Sequence, residues 1–234
     1  MRAIVINEFG GPEVLRLQEV PDPVPADGQV LVTLRAAGVN PVDSYQRDGS
    51  QGYSRQLPFT PGGDGAGLVA AVGAGVSGIS VGDRVYTAGS ITGTYAELCL
   101  CAARKVHPLP AKLSFEQGAA LWANYGTAFR ALFQRGGAHA GETALIHGAT
   151  GGVGIAAVQW ARHFGMRVIA SAGSSAGETL LRDQGVEAVV SHRHGLQPDE
   201  VLEATDGSGA DLIIEMLANE NLERDLDMLA RGGR

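Results

Sequence analysis

The sequence predicts an α/β chain in two parts, a strand-rich, barrel-like first half and a second half built on a parallel sheet covered by helices on both faces. Three observations carry this. Ten glycines fall in the 32 residues from Gly62 to Gly93, interleaved with short β-branched runs. The texture changes near Ser114. After Gly141, strand-like and helix-like runs alternate, and the first of these strands runs straight into the glycine-rich stretch 148–154.

Composition sets the bounds. At roughly 100–200 residues per domain, 234 residues make one large domain or two small ones. Glycine supplies 34 of them, about twice its average usage of roughly 7%, with no three-residue period. The chain is 44% hydrophobic and 18% charged, enough to bury a core and not the signature of disorder. The net charge of −7 is uneven: residues 1–195 hold 15 acids and 15 bases, residues 196–234 hold 10 acids and 3 bases. A basic nucleic-acid footprint is therefore not expected. The N-terminus lacks a basic region, a long apolar stretch and a cleavage site, and no apolar run reaches the roughly 18 residues of a membrane span. The expectation is a cytoplasmic protein with no membrane partner.

In order, Arg2–Ile6 and Val30–Arg35 read as strands, joined by an extended link carrying Pro21, Pro23 and Pro25. Leu68–Val72, Asp83–Tyr86 and Thr94–Leu100 follow as strands of a curved, bulge-rich small barrel with tight glycine corners. Ser114-Phe115-Glu116-Gln117 is a capping-box pattern, and the apolar stretch Gly118–Arg135 after it reads as helical. Thr143–His147, Arg167–Ala170, Glu187–Val190 and Asp211–Met216 are the expected strands of the second half. Gly152–Phe164, Ala176–Gln184 (closed by Gly185), Pro198–Thr205 and Asn221–Ala230 are its helices.

The run Gly148-Ala149-Thr150-Gly151-Gly152-Val153-Gly154 lies between a strand and a helix, where a dinucleotide pyrophosphate sits: glycines permit the tight turn, and the helix start offers free N–H groups and the positive end of its dipole. Its spacing is G-x-x-G-G-x-G, and the three βα units that follow supply the context such a motif requires. NAD binders usually place an acid at the end of the second strand. Here that place reads Ser171-Ala172-Gly173-Ser174-Ser175, with no acid before Glu178. In a 3-2-1-4 strand order the third strand's end, Ser191-His192-Arg193-His194, lies beside it, so His192 or Arg193 is placed to pair with a 2′-phosphate. NADPH is the expected cofactor.

Cys99 and Cys101 cannot build a disulfide scaffold; as i, i+2 neighbours on a strand they share one face and read as buried thiols. Along the sequence no Cys, His and acid residues cluster at metal-ligand spacing, the H-x-H pair at His192 and His194 included. No metal site is expected.

Several ordered blocks together resemble the zinc-free NADPH:quinone oxidoreductase (zeta-crystallin-like) family of the medium-chain dehydrogenase/reductase superfamily. They are Glu8-Phe9-Gly10-Gly11-Pro12-Glu13-Val14-Leu15, Ala37-Gly38-Val39-Asn40-Pro41-Val42-Asp43, Pro61-Gly62-Gly63-Asp64-Gly65-Ala66-Gly67, Phe115-Glu116-Gln117-Gly118-Ala119-Ala120, the glycine loop, and Glu215-Met216-Leu217-Ala218-Asn219. The resemblance runs over essentially the whole chain. It implies a GroES-like β-barrel catalytic domain at 1–117, without its C-terminal return segment. A Rossmann NADP-binding domain at 118–234 would follow, without its last strands, with the active cleft between the two. Relatives continue past Arg234, which would leave strand 211–216 with an exposed apolar edge. Zinc-dependent relatives carry a Cys where Asn40 stands and a His-Glu pair where Gly63-Asp64 stands.

The resemblance further implies reduction of a quinone by hydride (or single-electron) transfer from NADPH, with an enoyl or 2-alkenal reductase as the alternative. It puts Asn40 and Tyr45 on a cleft loop near the nicotinamide as the catalytic candidates, and Thr150, Gly151, Gly152 and Val153 at the pyrophosphate. Gly173, His192 and Arg193 fall on the adenosine-ribose side, and Asn221 is a further cofactor contact. Tyr53, in the 49–54 loop, is a weaker candidate for orienting the acceptor, and Asp43 reads as a structural hydrogen-bonding group. The run Trp122-Ala123-Asn124-Tyr125-Gly126 departs from the family's pattern at a stretch that lines the cleft in relatives, which puts the acceptor preference in question. Partners implied are a small quinone or enone, and a homodimer or tetramer. Some members of the group are lens structural proteins or bind RNA, so a catalytically inactive cofactor-binding, structural or RNA-binding role is the alternative of another class. The acidic end of the chain argues against its RNA version.

Overall fold

A computed structural model describes residues 1–50, 52–193 and 197–234. The chain forms two compact units, Met1–Ala123 and Asn124–Arg234.

The first unit opens with β1 (Arg2–Val5), a 3-10 turn (Pro12–Val14) and β2 (Arg16–Glu19), which pairs antiparallel with β1. Then come β3 (Gln29–Ala37), α1 (Pro41–Asp48), β4 (Asp64–Val72), β5 (Arg84–Ala88), β6 (Leu98–Ala102), a second 3-10 turn (Ala103–Lys105), β7 (Val106–Pro108) and α2 (Phe115–Ala119). Strands β3 to β7 make an antiparallel sheet in the order β6-β3-β4-β5-β7. The β3–β4 pairing slips at Leu31/Val32 and at Leu34/Ala36, bulges that bend the sheet. Val30, Val32, Val69, Val85, Cys99, Cys101 and Val106 fill its main core. The second patch, Ala66, Leu109 and Ala119 with Phe115 and Leu121 against them, seats α2. There the Arg84 guanidinium lies 4.1 Å from the Phe115 ring centre and donates to the Leu113 carbonyl at 2.6 Å.

The glycine corners are where β-branched runs meet tight turns, as at Gly62, Gly82, Gly89 and Gly93, all with positive φ. Gly67 has another reason: a Cβ there would lie 2.0 Å from the Thr33 carbonyl oxygen of β3.

Helix α3 (Trp122–Phe129) and a π-helical turn (Arg130–Arg135) lead into the second unit. Its elements are β8 (Thr143–Ile146), α4 (Gly152–His163), β9 (Arg167–Ala172), α5 (Ser175–Asp183), β10 (Ala188–Ser191), α6 (Pro198–Ala204), β11 (Leu212–Ile214) and α7 (Ala218–Met228). The sheet is parallel, in the order β10-β9-β8-β11, the 3-2-1-4 arrangement expected from sequence. Because side chains alternate across a strand, Ile146 and Val168 face one layer with Ala156, Ala157 and Ala161 of α4. Leu145 and Ile169 face the other, with Val201 of α6 and Met228 of α7. No helix among the described residues is long and apolar enough to cross a membrane.

Several expectations are corrected. The 118–135 stretch is not one helix: α2 ends at Ala119, α3 starts at Trp122, and the last six residues relax into a π-turn. The strand expected at 94–100 starts only at Leu98. Helix α7 begins at Ala218, three residues before the expected start, and ends at Met228. The β11 edge is not bare. Leu212 and Ile214 are buried, the Ile213 N–H donates to the Arg234 carbonyl at 2.9 Å, and the Arg234 N–H donates to that of Asp211 at 3.1 Å.

Gly67→Ala is expected to destabilise the first unit by about 1–3 kcal/mol or more, the usual cost of overpacking. The check is the unfolding midpoint in denaturant, and an unchanged midpoint would refute the close β3–β4 passage.

Candidate functional site

The site of the second unit lies at the C-terminal ends of its parallel strands, where open α/β sheets bind ligands. His147 follows β8, and Gly148, at φ +53°, turns the chain into the loop. Gly151 caps α4, its N–H donating to the Gly148 carbonyl at 3.0 Å. The first helical residues, Gly152, Val153 and Gly154, then have N–H groups with no acceptor inside the helix. One of these positions excludes a side chain, and another is crowded by one. A Cβ on Gly154 would lie 2.3 Å from the Gly148 carbonyl oxygen, and one on Gly152 would meet the Asn124 amide at 2.5 Å. Thr150 and Gly151 are exposed, and the helix start faces open space. Close backbone, free N–H donors and the positive helix end are what a phosphate would need at such a place.

A cavity of about 380 Å³ opens beside it, with His147, Gly148, Ser171, His192, Met216 and Asn221 among its walls. Gly173 follows β9. His192, just past β10, comes so close that a Cβ on Gly173 would lie 2.7 Å from its Nε2. The Arg193 Nε donates to the Gly173 carbonyl at 3.1 Å. His192 Nδ1 is 3.1 Å from the Ser171 hydroxyl, which also accepts from the Gly148 N–H at 3.2 Å. Gly173, His192, Arg193 and the glycine loop are thus brought together. Ser174 is spent otherwise: its hydroxyl caps α5 by accepting from the Gly177 N–H at 3.1 Å. His194, the other half of the H-x-H pair, lies outside the described residues.

Asn221 sits in the first turns of α7 and donates its amide to Glu215 Oε1 at 3.1 Å. The same oxygen accepts from the Leu217 N–H. Behind this turn is a group that sequence spacing did not suggest. His147 Nε2 is 2.8 Å from Asp225 Oδ1 and 3.3 Å from Glu215 Oε2. His147 and Asp225 are buried, and none of His147 Nε2, Glu215 Oε2 and the two Asp225 oxygens has a hydrogen-bond partner among the described residues, so the three groups meet by close approach of ring and carboxyls and not through aligned hydrogen bonds. The donor atoms lie within 4.8 Å of one another. Residues 68 positions apart meet here only because β8 and β11 are neighbours in the sheet.

In the first unit, Asn40 and Tyr45 are not on a loop. Asn40 is the N-cap of α1, and Tyr45 lies within the helix. Pro41 at the first helical position and Asp43 at the third build the start: the Asn40 N–H donates to Asp43 Oδ2 at 2.9 Å, and the Asp43 N–H donates back to the Asn40 carbonyl at 2.9 Å. Asp43 also accepts from the Tyr95 hydroxyl at 3.0 Å, so its role here is structural. The Asn40 side-chain amide donates to Asp64 Oδ2 at 3.2 Å, and the Ala123 N–H donates to the same oxygen at 3.1 Å. Burial pushes the Asp64 carboxyl above its ordinary range, against the pull of these two bonds. Tyr45 is 36% exposed, with Tyr53 5.9 Å away between ring centres. Gln51, in the loop between them, lies outside the described residues. Cys99 and Cys101 are fully buried on β6, their sulfurs 3.7 Å apart.

Two family models match the chain, an alcohol dehydrogenase GroES-like domain over residues 26–111 and a zinc-binding dehydrogenase over residues 152–234. A quinone oxidoreductase of Lama guanicoe is 48% identical over 235 residues, spanning 100% of this chain and 71% of that protein. Among solved structures, an NAD-dependent alcohol dehydrogenase superposes with a TM-score of 0.95 at 34% identity, over 100% of this chain and 76% of the other. The Escherichia coli quinone oxidoreductase complexed with NADPH does so at 0.89 and 34% identity, over 100% and 71%. Zinc, which the second model's name carries, does not fit the residues around Asn40: its amide is bonded to Asp64, and both thiols of the chain are sealed in the β6 core.

The buried acids generate a prediction. Burial, opposed by the charge of His147 and reinforced by the neighbouring Glu215 carboxylate, pushes Asp225 from 3.8 up to about 6. Burial also works against ionising Glu215, but the bonds from Leu217 and Asn221 and the nearby His147 outweigh it and hold that group low. A raised carboxyl keeps in the folded state a proton that the unfolded chain releases, so its stabilisation is full below its unfolded pKa and is lost as pH rises through its folded one. Asp225→Asn fixes the neutral form. The melting temperature of the wild type relative to Asp225→Asn should therefore fall between about pH 4 and pH 7, and a constant difference would refute the shift.

Proposed function

The chain belongs to the quinone oxidoreductase (zeta-crystallin-like) family of the medium-chain dehydrogenase/reductase superfamily, and from that premise we propose that it reduces quinones with NADPH, without zinc. The observation that carries the cofactor is the glycine cradle at the start of α4, where Gly154 leaves no room for a Cβ. When bound, the nicotinamide supplies the reducing hydride (or electron).

The roles of the chain's own residues follow from their chemistry. Thr150, Gly151, Gly152 and Val153 hold the pyrophosphate through backbone N–H groups and the helix dipole. Gly173 lets His192 close against the end of β9, on the side the adenosine ribose would take. His192 and Arg193 sit beside it with no carboxylate at the strand end to repel a 2′-phosphate; Arg193 spends its Nε on the Gly173 carbonyl and keeps its terminal nitrogens for the phosphate. Asn221 adds a contact from α7. Asn40 and Tyr45 act in the catalytic unit: Asn40, fixed by Asp64, presents a neutral amide where zinc-dependent relatives carry a thiolate, and the Tyr45 hydroxyl hydrogen-bonds the acceptor carbonyl. Holding a flat acceptor in place and excluding water supply the rest of the rate.

The test is NADPH oxidation with an ortho-quinone against an α,β-unsaturated aldehyde. Quinone turnover is expected; turnover of the aldehyde alone would replace the assignment with an alkenal reductase, and cofactor binding without turnover would leave a binding protein. In the same assay Arg193→Ala should raise the KM for NADPH about 10-fold and leave that for NADH within about 2-fold, the loss of one charge-assisted bond. Tyr45→Phe should lower kcat for the quinone about 10-fold. Equal losses for both cofactors, or an unchanged kcat, would remove the respective role.

A further inference from the structure

Beneath the pocket of the second unit, one imidazole joins two of its walls. His147 is the residue before Gly148, so its backbone is the root of the glycine loop, and its N–H donates to the Ile214 carbonyl of β11 at 3.0 Å. Its ring turns the other way, into the space under α7, where Nε2 lies 2.8 Å from Asp225 and 3.3 Å from Glu215. The ring is 5% exposed, as is the Asp225 side chain, and that of Glu215 is 13%. Two carboxyls buried this close are costly unless a cation or a shared proton offsets them, and the His147 ring lies within 4 Å of both.

Glu215 is two-faced. Oε2 looks down to His147, while Oε1 looks up and accepts from the Leu217 N–H and the Asn221 amide. A carboxylate is planar, so fixing one oxygen fixes the direction of the other. The turn at Met216-Leu217 and the Asn221 side chain both line the pocket, and both hang from an oxygen whose partner is held by His147.

We propose that His147 is a positioning residue of the cofactor pocket: shared between Asp225 and Glu215, it orients the Glu215 carboxylate and through it holds the Leu217 turn and the Asn221 amide in binding position. The proposal rests on the reading of Asn221 as a cofactor contact. It gives the chain a supporting layer in which the glycine-loop wall and the α7 wall are set relative to each other by one ring.

The experiment is a double-mutant cycle on NADPH binding, with Kd read by fluorescence titration of the full chain. Asn221→Ala should weaken binding about 10-fold. His147→Gln should weaken it by a similar factor, and the double variant should bind within about 2-fold of the weaker single one, because both changes break one path. At saturating NADPH, kcat with a quinone should stay within about 2-fold for His147→Gln, as expected of a group that acts on cofactor binding. Wild-type affinity in His147→Gln, or losses that multiply in the double variant, would overturn the proposal. Asn221→Ala alone separates the two readings. If it binds as tightly as the wild type, the Asn221 contact fails and the route through it fails too; if it weakens binding and His147→Gln does not, only the positioning role fails. Should His147→Gln not fold, Glu215→Gln replaces it in the cycle, since its remaining oxygen can still accept from Leu217. It carries the same expectation and the same refutation. A stoichiometric divalent metal bound by the wild type and lost in His147→Gln would also overturn the proposal.

Discussion

Helix α4 starts so close to the end of β8 that no side chain fits between them. The Gly154 backbone rests on the carbonyl of Gly148 and the Cα of Ala149, and Gly148 itself takes a left-handed turn. Around that contact the second unit is arranged. It aims the first N–H groups of α4 at open space, and brings Ser171 of β9 within reach of the Gly148 N–H. It also leaves His147 as the residue just past the strand, with its ring turned under α7. A larger residue at 154 would lift the helix, and the cradle, the β9 contact and the buried histidine would lose their common reference.

The first unit solves a similar problem with polar groups. Helix α1 has eight residues, too short to be stable by propensity, and only one of them, Asp43, is buried. It is held instead by hydrogen bonds: Asp43 to the Asn40 N–H and the Tyr95 hydroxyl, and Asn40 to Asp64. Burial raises Asp64 and Tyr95 above their ordinary ranges, and the nearby Asp43 charge adds to both. The helix that carries Tyr45 is therefore fixed at its first turn, and near its end Arg47 exchanges hydrogen bonds with Gly10.

What the sequence made legible was whatever local chemistry announces. The Ser114–Gln117 capping box, the glycine loop between strand and helix, the closing glycine after α5 and the strand order that puts Arg193 beside Gly173 all follow from residues near one another in the chain. Helix α1 carried a signal too, Asn40-Pro41 with Asp43 at the third helical position, but its polar, eight-residue span shows no apolar periodicity to support it. The break between α2 and α3 was hidden by a continuous apolar run, which reads alike for one helix or two. The meeting of His147, Glu215 and Asp225 had no local signal at all: it is made by sheet order, and a scan for ligand spacing along the sequence passes over it.

The two thiols offer a use of the architecture. Both cysteines of the chain lie in the first unit, on one buried face of β6, and hydrogen bonding to Cys101 together with burial keeps the Cys99 thiol from ionising. A thiol reagent can reach them only when that core opens. The speed of labelling is thus a clock for the opening of the first unit.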